Sequence, residues 1–271
     1  MQLETASAAK GASTLAIIAG EGRLPQALAA AYPDALWVTL TEIEAPAGQA
    51  VLAAKFEQLG QMFAAMKAAG IRQVVFAGAI RRPQIDPRQL DAFALSLAQH
   101  FARGDDAILR EVLKLFEAQG FEVVGASSLL PQLLLPAGTI WGNGWDETAK
   151  ADAARAESIL AALSPLDVGQ GAVVAGGLVL GIETIQGTEA LLSFVAQTPP
   201  GLRRAKGVFV KAPKRGQELR LDMPAIGPDT AAQLARAGIG GIVVEAGGVM
   251  VIDAEQTRQS FDAAGLFLVA K

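Results

Sequence analysis

The sequence predicts an α/β protein of two domains, an N-terminal Rossmann-like parallel sheet and a C-terminal mixed α/β domain with hairpins. In the first half, short apolar runs alternate with amphipathic stretches, which favours parallel strands joined by helices. After Pro136 the pattern changes to a segment rich in glycine and tryptophan. Beyond it, glycine-rich apolar pairs are typical of hairpins.

Apolar runs predict the strands of the N-terminal domain at residues 15–19, 35–40, 74–77 and 121–124. Pro25 favours a helix after the first strand. Apolar residues recur at helical spacing between Phe56 and Met66, and Gly70 is placed to end that helix. A further helix is indicated between Ile108 and Leu115, ended by Gly120. Strands alternating with helices in this way predict a parallel sheet.

The second half is expected to contain more helix and two hairpins. Helices are predicted at residues 147–163, 188–196 and 230–237 and from Asp253, hairpins at 172–183 and 242–252, and strands at 208–210 and 266–269. The predicted division is a loose tail at 1–13, an N-terminal domain at 14–137, a linker and helix at 138–164, and a C-terminal catalytic domain at 165–271.

The composition excludes several classes of protein. Of 271 residues, 51% are hydrophobic, yet no stretch approaches the roughly 20 apolar residues of a membrane span. The net charge of −4 argues against a nucleic-acid partner. There is no cysteine and a single histidine, His100, which excludes disulfides, thiolate metal sites and sites built on several imidazoles. We interpret His100 as structural or surface-exposed, and the first 13 residues lack the apolar region of a secretory signal.

Two glycine motifs follow predicted strands, where ligands of open α/β sheets bind. Gly20 and Gly22 belong to the segment Gly-Glu-Gly-Arg-Leu-Pro, in which Pro25 replaces the third glycine of a dinucleotide motif. This segment is either a nucleotide contact at a helix N-terminus or a tight turn that needs glycine. The next motif ends in Arg81 and Arg82, and we favour a phosphate or uracil contact there over a solvated pair.

A basic stretch points to an anionic ligand. Between Gly201 and Arg220 there are seven cations and one carboxylate, in a chain whose overall charge is negative. Lys211 and Lys214 belong to this stretch, and we expect them to contact phosphate. The alternative is a solvated face. Asp222 follows, in a segment expected to leave a strand and enter a helix, where it is either a functional carboxylate or a turn residue.

Taken together, these segments resemble the UDP-2,3-diacylglucosamine pyrophosphatase family of the LpxI type, from lipid A biosynthesis. The matching pieces run in order across nearly the whole chain after the tail, except between Ala137 and Ala162. They are residues 20–25, 76–83, 104–110, 167–174, 183–188 and 217–227.

The resemblance implies two domains with a cleft between them and Mg²⁺-dependent hydrolysis of UDP-2,3-diacylglucosamine. The products would be UMP and 2,3-diacylglucosamine 1-phosphate (lipid X), with water attacking the α-phosphorus. The family's catalytic residue is the Asp of an Asp-hydrophobic-Pro motif, here Asp222, which either binds Mg²⁺ or orients water. The expected substrate-binding residues are Gly20, Gly22, Arg81, Gln170, Thr188, Lys211, Lys214 and Gln217.

The resemblance also implies a cytoplasmic protein, peripheral at the inner face of the inner membrane, and leaves a homodimer open. Two other functions remain at this point. One is a nucleotide-sugar-binding module without catalysis, which would use Gly20–Pro25 and not need Asp222. The other is an NAD-dependent oxidoreductase, which the proline at position 25 disfavours.

Overall fold

The computed structural model describes residues 13–41, 43–80, 86–100 and 105–271, and it divides into two compact units. The first unit contains the described residues up to Leu130 together with Arg220–Asp222. The second contains Pro131–Leu219 and Met223–Lys271. Among the described residues, no helix is both long enough and apolar enough to cross a bilayer.

The first unit is built on a five-stranded sheet in the order β3-β2-β1-β4-β5, with every neighbouring pair parallel. Its strands are β1 (Leu15–Ala19), β2 (Leu36–Thr39), β3 (Val51–Ala53), β4 (Gln73–Ala77) and β5 (Glu122–Val124). Its helices are α1 (Arg23–Ala31), α2 (Leu59–Ala68), α3 (Ala92–Ala98), α4 (Asp105–Ala118) and α5 (Ala126–Leu129). The predicted Rossmann-like sheet is confirmed, and β3 is a strand that the apolar pattern missed.

The sheet of the first unit is buried because its strands are apolar on both faces, as parallel strands between helices require. Alternate residues Ala16 and Ile18 of β1 face a core that also contains Met62, Phe63 and Met66 of α2. The opposite face holds fully buried side chains such as Ile17 and Trp37, and α1, which contacts β1, buries its own Leu28 and Ala29. The core therefore lies on both sides of the strands.

The second unit has a six-stranded mixed sheet in the order β6-β13-β11-β9-β7-β8 and a separate pair, β10-β12. The strands are β6 (Ile140–Trp141), β7 (Gly171–Ala175), β8 (Leu178–Ile182), β9 (Val208–Lys211), β10 (Ala225–Ile226), β11 (Gly241–Val244), β12 (Met250–Val251) and β13 (Phe267–Ala270). The helices are α6 (Glu147–Leu163), α7 (Gly187–Ala196), α8 (Pro228–Arg236) and α9 (Ala254–Ala263). The predicted mixed α/β class is confirmed.

Helices cover both faces of this second sheet. The small residues Ala149, Ala153 and Ala156 let α6 pack closely on one face, against strand residues such as Val174 and Val208. The other face belongs to a second core, which α7, α8 and α9 complete with large apolar side chains. Adjacent residues of the inner strands β7, β9, β11 and of β13 alternate between the two cores, as the period of two along a strand demands.

One of the two predicted hairpins forms and the other does not. β7 and β8 pair antiparallel around Gly176 and Gly177. The predicted hairpin at 242–252 is wrong, because β11 lies between β9 and β13 while β12 pairs parallel with β10. Gly247 and Gly248 therefore join two different sheets.

Candidate active site

The first unit has its topological switch point between β1 and β4. From β1 the chain continues to β2 on one side, and from β4 it continues to β5 on the other. Ligands of open α/β sheets bind outside the carboxyl ends of the strands at such a point. Gly20 follows β1 and Gly78 follows β4, so the predicted glycine motifs flank this position.

The two loops approach each other closely through their backbones. Gly20 N donates to Ala77 O at 2.7 Å, and Glu21 and Ala79 exchange two hydrogen bonds of 2.8 and 3.0 Å. The N–H groups of Gly20 and Glu21 are thus used within the protein. A phosphate at this loop would meet the first turn of α1 instead.

Gly20 and Gly22 are needed for different physical reasons. A Cβ on Gly20 would lie 2.6 Å from Ala79 O, so only glycine allows the close approach of the loops. Gly22 has a φ of 107° with open space around it, so its requirement is conformational. Gly78 combines both, with a φ of 85° and 2.3 Å between a Cβ and Glu21 O. The tight-turn interpretation therefore has a structural basis, and it leaves the nucleotide contact as a prediction.

Arg81 and Arg82 lie outside the described residues.

Asp222 belongs to the first unit although it is distant from the rest of that unit in sequence. Arg220 Nη1 donates to Glu117 Oε1 at 3.1 Å, and Leu221 packs against the core of the first sheet. A Cβ on Gly125, which directly follows β5, would lie 3.5 Å from Arg220 Cα. The segment therefore enters at the carboxyl edge of the sheet, the edge that also carries Gly20 and Gly78. Asp222 itself is half-buried.

In the second unit, the predicted binding residues gather at one edge of the six-stranded sheet. β9 ends at Lys211, which pairs with Gly171 at the start of β7. Ala212 N donates to Gln170 O at 2.9 Å, and Glu183 N, just after β8, donates to Gly171 O at 2.7 Å. Because β8 and β9 both end here, this edge collects the residues that follow each of them.

Lys211, Thr188 and Glu183 form a buried polar cluster at that edge, here named the Lys–Thr–Glu cluster. Lys211 Nζ donates to Thr188 Oγ1 at 2.6 Å, and Thr188 Oγ1 donates to Glu183 Oε2 at 3.1 Å. The distance from Lys211 Nζ to Glu183 Oε2 is 3.8 Å. Lys211 is only 6% exposed and Glu183 only 8%. Buried charges of this kind need partners, and here each has them.

Two glycines make room for Glu183. Gly169 has a φ of 63°, and a Cβ there would lie 2.1 Å from Glu183 O. A Cβ on Gly171 would lie 2.5 Å from Glu183 Oε2 and equally close to the ring of Phe209. The position of the carboxylate is thus built into the backbone around it.

Lys214 and Gln217 stand on the loop that leaves β9. Lys214 Nζ forms an ion pair with Asp167, and Lys214 N donates to Gln217 Oε1 at 2.9 Å. Arg215 N donates to Ser164 Oγ at 2.5 Å, which ties the same loop to the end of α6. These contacts hold the loop that follows Lys211 against Asp167 and Ser164.

The structure brings together Gln170, Thr188, Lys211, Lys214 and Gln217, all predicted to bind substrate. Glu183, the carboxylate of this cluster, was not among the residues predicted from the sequence. Its signal was the charged Lys211 at the end of an otherwise apolar strand, since a buried cation calls for a carboxylate. Nothing in the sequence ranked Glu183 above the other acids.

The donor set of the described residues limits how a metal ion would bind. They contain no group of three or more His, Asp or Glu side chains arranged to hold a metal ion. A cage of several protein ligands is therefore not part of the described structure. Mg²⁺ is commonly bound through one or two carboxylates, with water and substrate phosphates completing its shell. A single carboxylate such as Asp222 fits that mode.

Comparison with known proteins identifies the family. The sequence family model for the LpxI N-terminal domain matches residues 14–133. The family model for the LpxI C-terminal domain matches residues 136–269. The UDP-2,3-diacylglucosamine pyrophosphatase LpxI of Caulobacter vibrioides is 41% identical over 220 residues, which cover 78% of this chain and 79% of the relative. Both halves match in order, and the chain belongs to the LpxI family.

Proposed function

We propose that this protein hydrolyses the pyrophosphate of UDP-2,3-diacylglucosamine in lipid A biosynthesis, giving UMP and 2,3-diacylglucosamine 1-phosphate. The name of the Caulobacter relative supports the reaction. The structural observation that carries the proposal is the buried, doubly partnered ammonium of Lys211 at the carboxyl end of β9. A cation held in place at such an edge suits an anionic phosphate ester.

In the proposed reaction, water attacks the α-phosphorus, the one attached to uridine. The bond from this phosphorus to the bridging oxygen breaks, and the bridging oxygen leaves with the sugar phosphate. Lys211 and Lys214 place positive charge beside phosphate oxygens that would otherwise repel the incoming oxygen. Gln170 and Gln217 lie at the same edge and supply polar contacts to the substrate.

Asp222 is proposed as the catalytic carboxylate and as the residue that holds Mg²⁺. Its half-buried position on a segment anchored by Leu221 and by the Arg220–Glu117 ion pair keeps the carboxylate from moving freely. When bound, Mg²⁺ supplies positive charge that neutralises phosphate oxygens and polarises the bond to be broken. Pro224 lies two residues after Asp222 and restricts the backbone of Met223 between them.

The Asp222→Asn variant tests the catalytic assignment. We expect UMP release to fall by about 10²–10⁴-fold, the range typical of a group acting on the reacting atoms. Asp34→Asn, a change of the same kind at an exposed position of the first unit, is the matched control and should retain activity. Thermal unfolding of both variants checks the fold. Turnover of Asp222→Asn within about threefold of wild type would refute the assignment.

The position of attack is tested in ¹⁸O-labelled water with magnesium present. Mass spectrometry should find the label in UMP, since the new oxygen is then bonded to the α-phosphorus. Label in the sugar phosphate contradicts α attack while leaving the hydrolase intact. Substrate binding without any product over a long incubation would instead favour the nucleotide-sugar-binding module.

We further propose that the protein is cytoplasmic and contacts the inner face of the inner membrane, where a diacylated substrate resides. An apolar groove of about 610 Å³ lies along the edge strand β8 and supports this proposal. It is lined by Leu178, Phe194 and Leu202, of which the last two are 63% and 61% exposed. Arg204 is exposed beside the adjacent turn, so the rim suits an anionic lipid surface.

Sedimentation with vesicles tests the membrane contact. Phe194→Ser and Leu202→Ser should each lower the fraction bound to vesicles containing phosphatidylglycerol, because each removes exposed apolar surface. Ile140→Ser, at the opposite edge of the same sheet, is the control. Equal binding by all variants would remove the groove from the proposal. Light scattering on the same preparations measures whether the chain forms a homodimer.

A further inference from the structure

The hydroxyl of Thr188 lies between a buried cation and a buried carboxylate, and this placement defines what it can do. We infer that Glu183 is a positioning residue that acts through Thr188 to hold the Lys211 ammonium for the substrate's phosphate. Thr188 is then a relay within the protein and not itself a phosphate ligand. The inference rests on the proposed function and refines it.

The direction of each hydrogen bond in the cluster follows from chemistry. An ammonium can only donate, so Thr188 Oγ1 accepts from Lys211 Nζ. An ionised carboxylate can only accept, so Thr188 Oγ1 gives its single proton to Glu183 Oε2. Phosphate oxygens need donors. Because the Thr188 hydroxyl has already committed its proton, it has none to offer a phosphate.

Burial restricts the Lys211 side chain to one conformation. A lysine side chain is flexible, and an exposed one would sample many conformers. Here the side chains of Lys211 and Glu183 are 8% and 10% exposed, and two partners on one side of the ammonium fix where its charge lies. Fixing a charge before the substrate arrives avoids reorganisation during the reaction.

The surrounding backbone indicates that the carboxylate position is specified. Gly169 and Gly171 both lie against Glu183, and a Cβ on either would overlap it. Glu183 N is itself bonded to Gly171 O at 2.7 Å. Gly171 also pairs with Lys211 in the β7–β9 ladder and directly follows Gln170, so the carboxylate is built into the edge that carries the proposed binding residues.

A double-mutant cycle tests the inference. With UDP-2,3-diacylglucosamine as substrate, Glu183→Gln and Thr188→Val should each lower kcat/KM by about 10-fold or more, because each weakens the hold on Lys211. In a Lys211→Met background the same two changes should lower kcat/KM by less than about twofold, because the residue they position is gone. A direct Thr188–phosphate contact would instead give the same factor in both backgrounds, which overturns the inference.

Rescue and controls complete the design. Thr188→Ser keeps a hydroxyl and should recover most of the kcat/KM lost in Thr188→Val. Thr148→Val, the same change at an exposed position of α6 and away from the cluster, should match wild type. Thermal unfolding is recorded for each variant. If Glu183→Gln does not fold, the Thr188→Val and Lys211→Met cycle alone decides, since both changes preserve side-chain volume approximately.

The outcomes separate this inference from the proposed function. A wild-type protein that releases no UMP refutes the proposed function, and the inference falls with it. An active wild type with independent, multiplicative effects of Thr188→Val and Lys211→Met refutes the inference alone. An active wild type with strongly non-multiplicative effects supports both.

Discussion

Gly171 shows that the geometry of the candidate site leaves no room for even one added carbon atom. A Cβ at this position would lie 2.5 Å from both Glu183 Oε2 and Phe209 Cε2, and Phe209 is fully buried. Neither neighbour has room to retreat, because one is part of the Lys–Thr–Glu cluster and the other of the core. A glycine here serves packing, whereas Gly22 serves a φ of 107°.

We therefore expect Gly171→Ala to lower the free energy of unfolding by about 1–3 kcal/mol, the usual cost of overpacking. Activity should fall as well, because Glu183 must shift. Gly201→Ala is the control, since nothing lies within 4 Å of its added Cβ. Chemical denaturation measures both. Equal stability of the two variants would contradict the packing argument.

Among the elements, the β7–β8 hairpin is held by a helix as well as by its own ladder. Asp152 of α6 is 2% exposed and accepts from Gly176 N at 2.8 Å and Gly177 N at 2.7 Å. Both glycines have positive φ, so the turn needs glycine and its N–H groups need an acceptor. One carboxylate satisfies the two groups together.

Asp152→Ala should destabilise the protein by about 1–3 kcal/mol, because it leaves a hydrogen-bonded turn without its charged acceptor. Asp152→Asn keeps one acceptor oxygen and should recover part of the loss. Thermal unfolding gives the ranking of the three proteins. An Asp152→Ala protein as stable as wild type would show that solvent replaces the carboxylate fully.

The strands also show which parts of the fold a local sequence pattern can predict. Strands β1, β2 and β4 are local apolar runs bounded by turn residues, so their pattern is sufficient to predict them. The failed hairpin at 242–252 has the same local appearance, with glycines between two apolar runs. Its second run, Met250–Val251, pairs instead with Ala225–Ile226, a partner 25 residues earlier in the chain. Such pairing depends on the tertiary fold, and a local pattern does not contain it.

The candidate site divides in the same way into residues with a local sequence signal and residues without one. Lys211 and Asp222 stood out through local signals, a cation ending a strand and an Asp before Met-Pro. Glu183 did not, because its role depends on Thr188 and Lys211, and Lys211 is 28 residues away in sequence. The reason for glycine at positions 20 and 78 likewise depends on the folded loops, where an added Cβ would lie 2.6 Å from Ala79 O or 2.3 Å from Glu21 O.

At the scale of the whole molecule, the path of the chain does not follow the order of its two units. The segment Arg220–Asp222 belongs to the first unit, while the residues on both sides of it belong to the second. The family models nevertheless place it within the C-terminal match, residues 136–269. Units defined by sequence and units defined by packing thus differ at the residue proposed to be catalytic.

Leu221→Ala should therefore destabilise the first unit, although the residue is coded within the second half. Leu221 is half-buried against the first core, so a loss of about 1–2.5 kcal/mol is expected, below that of a fully buried leucine. Hydrogen exchange should show faster opening of β4 and α4 than in wild type. Leu219→Ala, two residues earlier and assigned to the second unit, is the control. Faster exchange confined to the second unit would contradict the assignment.

This path of the chain has a consequence for synthesis on the ribosome. About 90 residues separate Leu130 from Asp222, and a ribosome adding roughly 5–20 residues per second needs on the order of 10 s to make them. During that interval the nascent first unit lacks the side chain of Leu221 in its core. Nascent chains stalled before residue 220 should be digested faster by protease in the first unit than chains stalled well after residue 222. The segment that carries the proposed catalytic residue would then also be the segment that completes the first unit's packing.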